Sequence, residues 1–152
     1  MMKNTKRPSM NKFLIVLLLF LSCQNPIQKG SFGNFRIITI EPSTFDMPVF
    51  VIITQDTLKA LNFVKENNDT SATISDFEAR AVTFPINDGK PPIIWIPHMD
   101  WSVEDISIMN HELLHANFSI LAWANVPLCD SSEEAYTYNY QFLTKQFYGK
   151  VR

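Results

Sequence analysis

Apolar residues along this chain change their spacing several times, and each change predicts a different element of secondary structure. Two runs rich in Ile, Val and Phe, residues 35–40 (FRIITI) and 48–54 (PVFVIIT), have the composition of β-strands and are separated by a loop. In residues 57–67 the apolar positions recur near helical spacing, and Asp56 or Thr57 is suited to cap this segment. We therefore expect two strands of one sheet, followed by a helix.

A second pair of strands is predicted in the middle of the chain. Residues 77–85 (FEARAVTFP) and 92–97 (PIIWIP) flank a segment that contains Asp88-Gly89, a dipeptide typical of tight turns. The two runs therefore predict a hairpin. Prolines at both ends of the second run remove backbone donors, which suits a strand at the edge of a sheet.

Two longer helices are predicted toward the C-terminus. From Trp101 or Ser102 to about Asn125, apolar residues recur at intervals of three and four, as on the buried face of a helix. Residues 130–132 are suited to cap a last helix that continues through Phe147. The whole pattern predicts an α+β domain with a small, mostly antiparallel sheet of about four strands and three helices.

The composition is typical of one folded domain. A chain of 152 residues with 46% hydrophobic and 12% aromatic content can bury a single core. The formal net charge is −2, and basic residues are scattered except near the N-terminus, so no basic surface for nucleic acid is expected. We therefore predict that nucleic acid is not a partner.

The N-terminal segment has the layout of an export signal. Several basic residues precede the unbroken apolar run of residues 13–21 (FLIVLLLFL). A membrane-spanning helix needs about 20 apolar residues, so this run is too short to be a permanent anchor. We expect residues 1–22 to be a signal peptide.

Residues 20–23 (FLSC) resemble the lipobox of bacterial lipoproteins, with Phe20 at a position where Leu is usual. The resemblance implies that Cys23 is lipidated and becomes the new N-terminus. Residues 23–34 would then be the lipidated Cys and a polar tether, and residues 35–152 the folded domain. This predicts export to the bacterial cell envelope and attachment to a membrane through a lipid anchor.

Candidate chemistry lies on the predicted helix, in residues 110–120 (NHELLHANFSI). His111 and His115 are four residues apart, so both imidazoles project from one side of a helix and can bind one ion. Glu112 lies beside this pair, where it can hold and deprotonate a metal-bound water, as in an H-E-x-x-H site. Alternatively, both residues are histidines of the core that hydrogen-bond to Glu and Tyr side chains without an ion.

A catalytic zinc ion usually has three protein ligands and a water molecule. The segment 131–143 (SSEEAYTYNYQFL) offers Glu133 and Glu134 as the third ligand. Glu134 precedes one plausible packing face, formed by Ala135, Tyr138 and Phe142. Glu133 precedes another, formed by Tyr136, Tyr140, Leu143 and Phe147. We expect Glu134 to be the ligand, with Glu133 as the alternate.

The sequence HELLH followed by EEAYTY resembles the paired helices of small gluzincin metallopeptidases, in which a Glu on the second helix completes a His, His, Glu zinc site. The resemblance covers residues 93–147. It implies a minimal zincin-like domain that binds Zn²⁺ through His111, His115 and Glu134 and hydrolyses a peptide or protein substrate with Glu112 as general base. In gluzincin-like sites a substrate strand adds antiparallel to an edge strand beside the zinc helix, a role open to residues 92–97.

A different class of function stays open, in which the protein is a lipid-anchored interaction protein whose His and Glu cluster only joins two helices. A structural zinc ion usually has four protein ligands, and His98 or Cys129 would have to supply the fourth. His98 is also a candidate to contact a substrate or a transition-state oxyanion. Cys129 is otherwise expected to be a partly buried thiol with nothing nearby to lower its pKa.

Overall fold

The computed structural model describes residues 35–42 and 44–151. In these residues it contains β1 (Arg36–Ile40), β2 (Val49–Ile53), α1 (Thr57–Asn67), β3 (Val82–Phe84), β4 (Ile93–Ile96), α2 (Val103–Trp123) and α3 (Glu133–Val151). Short 3₁₀ turns lie at Ile74–Phe77 and Asp130–Ser132. The predicted signal peptide (residues 1–22), the lipidated Cys23 and the tether lie outside the described residues.

The four strands form one mixed sheet in the order β1-β2-β4-β3. The pairs β1–β2 and β3–β4 are antiparallel, whereas β2 and β4 are parallel. The parallel pair arises because α1 and the segment after it carry the chain back before β4 begins, as a parallel connection requires. The predicted α+β class with four strands and three helices is confirmed for the described residues.

The expectation that residues 92–97 form an edge strand is wrong, because β4 lies between β2 and β3. The prolines flank β4 rather than interrupt it, so all of its four residues keep their N–H groups, and all four are buried. Pro92 contributes a carbonyl, which accepts a hydrogen bond of 3.1 Å from the backbone N–H of Phe50. The edge beside β4 is formed by β3.

The predicted hairpin between β3 and β4 is confirmed, although β3 begins at Val82 and not at Phe77. Asp88 and Gly89 have φ angles of +48° and +74°, as a type I′ turn requires. Next to this loop, the buried side-chain amide of Asn68 donates hydrogen bonds to the carbonyls of Pro85 (2.9 Å) and Pro91 (2.8 Å). The two ends of the loop are therefore held together by a side chain from the end of α1.

Helices cover both faces of the sheet. One face packs on α1 and the 3₁₀ turn of residues 74–77, and the other packs on α2 and α3. The α2–α3 side of the core contains Ile38, Ile40, Val49, Val51, Ile53, Ile94, Ile96, Met109, Leu113, Ala116, Ile120, Leu143 and Phe147. This packing places α2 against the sheet and beside α3, as its apolar pattern predicts.

Among the described residues, no helix combines the length and the apolar composition that crossing a membrane would require.

Candidate metal and catalytic site

The helix α2 carries the residues of the predicted site. It begins after Ser102, whose hydroxyl oxygen accepts a hydrogen bond of 3.1 Å from the backbone N–H of Asp105, so Ser102 is the N-cap of α2. The side of the helix that faces the sheet is buried. His111 and His115 lie on the opposite side and are exposed. The core packing of α2 therefore holds the two imidazoles at the surface.

The structure brings His111 and His115 together. Their Nε2 atoms lie 3.0 Å apart, and the ring planes are nearly perpendicular, at 89°. Two nitrogen ligands of one tetrahedral zinc ion, each at about 2.0 to 2.1 Å from the metal, are separated by about 3.3 Å. The observed spacing is therefore close to the one that a shared ion requires, and it also allows one ring to donate a hydrogen bond to the other.

Glu112 lies next to this pair, and its side chain points toward β3. It is only 7% exposed, and the hydroxyl of Thr83 donates a hydrogen bond of 2.6 Å to its Oε2 atom. The Thr83 oxygen is also 3.1 Å from the backbone carbonyl of Glu112. Thr83 therefore attaches the edge strand to the helix and orients the carboxylate.

Thr83 was not predicted as a site residue. The one signal for it is a polar residue between Val82 and Phe84 in a strand pattern, because alternation places it on the sheet face opposite to these two apolar neighbours. Its partner Glu112 lies 29 residues further along the chain. The sequence pattern alone does not bring these two residues together.

A groove of about 730 Å³ runs between β3 and the exposed side of α2. It is lined on the strand side by Ala81, Val82, Thr83, Pro85 and Ile86, and on the helix side by Glu112, His115, Phe118, Ser119, Ala122 and Trp123. Glu112 and His115 therefore open into the same groove, which is large enough for a peptide segment or a small molecule.

The two candidate third ligands lie at the start of α3, and both are exposed. Among the described residues, only one group of three metal-ligating side chains has its ligand atoms within 4.8 Å of one another, and it contains neither glutamate. Near this end of α3, the Asn117 side chain donates a hydrogen bond of 3.1 Å to the Tyr136 carbonyl, and the Phe118 and Tyr136 rings are 5.5 Å apart. The structure thus places the first turn of α3 beside α2 without bringing a carboxylate to both imidazoles.

His98 does not lie with the His111–His115 pair. It forms the group of three with Asp100 and Asp105, at the N-terminal end of α2. Asp105 accepts a hydrogen bond of 2.8 Å from the Asp100 backbone N–H, and Asp100 accepts one of 2.8 Å from the Ser102 backbone N–H. Hydrogen bonds from Ser102 are also the main reason why the pKa of Asp100 lies below its usual value. These contacts order the turn that starts α2.

Cys129 differs from its prediction. Its thiol is exposed, and hydrogen bonds with the hydroxyls of Ser131 and Ser132 lower its pKa. The expectation of a partly buried thiol with nothing nearby to lower its pKa is therefore wrong, because the 3₁₀ turn after Pro127 brings both serines to the sulfur.

Comparison of this chain with protein-family models, with curated proteins and with solved structures gives no significant match.

Proposed function

We propose that the protein is a zinc-dependent hydrolase of the minimal zincin-like type, acting as a metallopeptidase. The observation that carries this proposal is the 3.0 Å separation of the His111 and His115 Nε2 atoms beside a buried carboxylate, Glu112, in an open groove. Two nitrogen ligands, a carboxylate base and space for a substrate are among the parts that metal-assisted hydrolysis requires, and a third protein ligand would complete them.

Each residue of this site has a separate role. His111 and His115 would hold the ion through their Nε2 atoms, and a bound zinc ion would polarise the substrate carbonyl and lower the pKa of the attacking water. Glu112 accepts a proton from that water and transfers it to the amine nitrogen that leaves when the peptide C–N bond breaks. Thr83 keeps the Glu112 carboxylate directed into the groove.

The proposed third ligand is Glu134, with Glu133 as the alternate, and either carboxylate would have to move toward the imidazoles to bind the ion. The face of α3 that was expected to follow Glu134 lines a pocket against the β1–β2 loop. On α3, Tyr136 reaches the Phe118 ring of α2. The two helices run antiparallel, so Glu133, one turn before Tyr136, lies further from His115 than Tyr136 does. Packing therefore leaves both glutamates as candidates.

The substrate class is an extended peptide or protein segment. The open side of β3 borders the groove beside Glu112, so β3 replaces residues 92–97 as the proposed docking strand. His98 lies with two aspartates at the start of α2, which gives it no role in this proposal.

We also propose export and a lipid anchor at Cys23, which would place the site in the cell envelope.

The first test is the metal content of the full chain, purified in mild detergent without a metal-affinity tag. We expect about one zinc ion per chain, lost in His111→Ala and retained in Glu112→Gln. His98→Ala is the matched control, because zinc bound by the His98, Asp100 and Asp105 group would be lost there instead. Hydrolysis of a peptide mixture should then disappear in Glu112→Gln.

Separate Glu133→Ala and Glu134→Ala variants identify the third ligand, since only the ligand variant should weaken zinc binding. His and Glu ligands also bind other divalent ions, so manganese, cobalt and nickel belong in the same measurement.

A second candidate function is a lipid-anchored interaction protein without catalysis. One observation favours it, since no acid joins the His111–His115 pair among the described residues. If the full chain retains no metal after zinc is offered and dialysed away, this second function replaces the first.

A further inference from the structure

The backbone of β4 determines which groups of β3 are free. The N–H groups of Phe50, in β2, and of Thr54, directly after β2, donate hydrogen bonds of 3.1 Å to the carbonyls of Pro92 and Ile96. The backbone groups of Pro92 and Ile96 therefore point toward β2. Backbone groups alternate in direction along a strand. Those of Ile93 and Trp95 therefore point toward β3.

The register of β3 then leaves one residue open. Val82 pairs with Trp95 and Phe84 pairs with Ile93, so the backbone groups of Val82 and Phe84 point toward β4. The N–H and C=O of Thr83 point away from β4, toward the free edge. A single residue opposite Thr83 in an antiparallel partner exchanges both hydrogen bonds with it, whereas a parallel partner must use two residues. An antiparallel segment therefore suits this edge best.

The direction of such a segment along the groove follows from two contacts. Thr83 lies against Glu112, and further along the chain the Ile86 backbone N–H donates a hydrogen bond of 2.8 Å to the Ser119 hydroxyl. The edge strand and α2 therefore run in the same direction beside the groove. An antiparallel substrate has its N-terminal residues near Ser119 and its C-terminal residues beyond Glu112.

The Ser119 end of the groove is apolar. It is formed by Ile86, Phe118, Ala122 and Trp123, and two of these are aromatic side chains that remain well exposed, Phe118 at 38% and Trp123 at 47%. The charged or ionisable residues of the groove lining, Glu112 and His115, lie nearer its other end. Exposed aromatic side chains that line one end of a groove are typical of a binding surface.

The spacing of strand and helix brings a substrate side chain to this surface. Take the substrate residue that lies opposite Thr83. The residue two positions before it in the substrate has its side chain on the same face of the sheet as Thr83, about 7 Å further along the strand. Phe118 is about 9 Å along the helix from Glu112, and helical side chains lean toward the N-terminus of their helix. The Phe118 ring therefore lies near the level of that substrate residue.

We propose that the groove selects peptides with a large apolar side chain on the N-terminal side of the cleaved bond, bound by Ile86, Phe118, Ala122 and Trp123. This inference rests on the proposed peptidase function. It adds the class of side chain that the groove selects and the side of the cleaved bond on which that side chain lies.

The test combines cleavage and binding. The full chain, loaded with zinc in mild detergent, is given a degenerate library of octapeptides, and the residues on both sides of each cut are sequenced. Leu, Phe and Met should be enriched on the N-terminal side, by about tenfold over Ser, as expected for partial burial of one large side chain. Binding of two blocked octapeptides, identical except for Leu or Ser at one position, is measured by calorimetry on Glu112→Gln.

Variants of the subsite separate selection from loss of folding. Trp123→Ser should reduce the apolar preference, and Ala122→Arg should change it to a preference for Asp and Glu, a gain that an unfolded protein does not show. Ser107→Arg adds the same charge to an exposed position of α2 outside the groove lining and should leave the preference unchanged.

The outcomes for the two proposals differ. Cleavage without an apolar preference, or with the preference on the C-terminal side of the cut, overturns the inference and leaves the peptidase function standing. Binding that favours the Leu peptide and is weakened by Trp123→Ser, without any cleavage by the parent chain, supports the subsite and rejects the peptidase function. Equal binding of both peptides, or none, overturns the inference whatever the cleavage result.

Discussion

Replacing Thr83 by Val removes the hydroxyl that contacts the Glu112 carboxylate while keeping the shape and β-branching of the side chain. The donor and acceptor oxygens are 2.6 Å apart, a distance typical of a hydrogen bond to an ionised group. Such bonds contribute about 1.5 to 3 kcal/mol to stability. Because Glu112 is 7% exposed, little water is available to replace the lost donor.

We expect Thr83→Val to lower the free energy of unfolding by about 2 kcal/mol. For a domain of this size, 1 kcal/mol corresponds to roughly 4 °C in Tm, so the expected decrease is about 8 °C. Thermal unfolding followed by circular dichroism, together with urea titration, measures both quantities. Thr83→Ser keeps the hydroxyl and loses only a methyl group, so its destabilisation should stay below about 1 kcal/mol.

A double-mutant cycle with Glu112→Leu, which removes the acceptor, isolates the contact from other effects of the substitutions. The coupling free energy between positions 83 and 112 should reach about 1 kcal/mol, because the charged acceptor is lost in one arm and the donor in the other. Equal stability of Thr83→Val and the parent protein, or equal losses in the Ser and Val variants, would refute the role of this hydrogen bond.

Three further predictions concern the elements that position the site. The folded-state pKa of Asp100 is depressed, so its contribution to the free energy of unfolding should be complete above the usual pKa of about 3.9 and decline as the pH falls below that value. In urea titrations between pH 2 and pH 7, the stabilities of the parent and of Asp100→Asn should converge at the acid end, and a stability difference that does not change with pH contradicts this. Leu113→Ala, on the buried side of α2, should lower the free energy of unfolding by about 2 to 5 kcal/mol, whereas Leu114→Ala, at the exposed neighbouring position, should lower it by less than about 1 kcal/mol. Similar losses of Tm in the two variants would contradict the assigned orientation of the helix. Gly89→Ala, at a φ of +74°, should lower the free energy of unfolding by about 1 kcal/mol in a urea titration, and an unchanged midpoint would argue against the assigned turn.

Elements defined by neighbouring residues could be predicted from the sequence. The start of α1 and the N-cap of α2 follow from Asp56 and Ser102, whose side chains accept hydrogen bonds from N–H groups three residues away. The facing of His111 and His115 follows from helical periodicity, and the Asp88-Gly89 turn from the ease with which glycine takes a positive φ.

Features that depend on distant partners could not be predicted in this way. The prolines that flank residues 92–97 predict an edge strand, but strand order depends on which strands pair. In the structure β2 pairs with β4 on the side that was expected to be open. The contact between Thr83 and Glu112 depends in the same way on the packing of α2 against β3. The choice between Glu133 and Glu134 depends on how α3 lies against α2, which local spacing leaves undetermined.

The two hydrogen bonds from the Asn68 amide have a practical consequence. They join the carbonyls of Pro85 and Pro91, so the hairpin loop is closed at its base independently of its tip. Residues 87–90 can therefore be exchanged for a longer sequence, or can carry a fluorescent label, while the strand that borders the groove keeps its place. An environment-sensitive dye at Asp88 would report the arrival of a ligand from just outside the site, with the groove itself left unmodified.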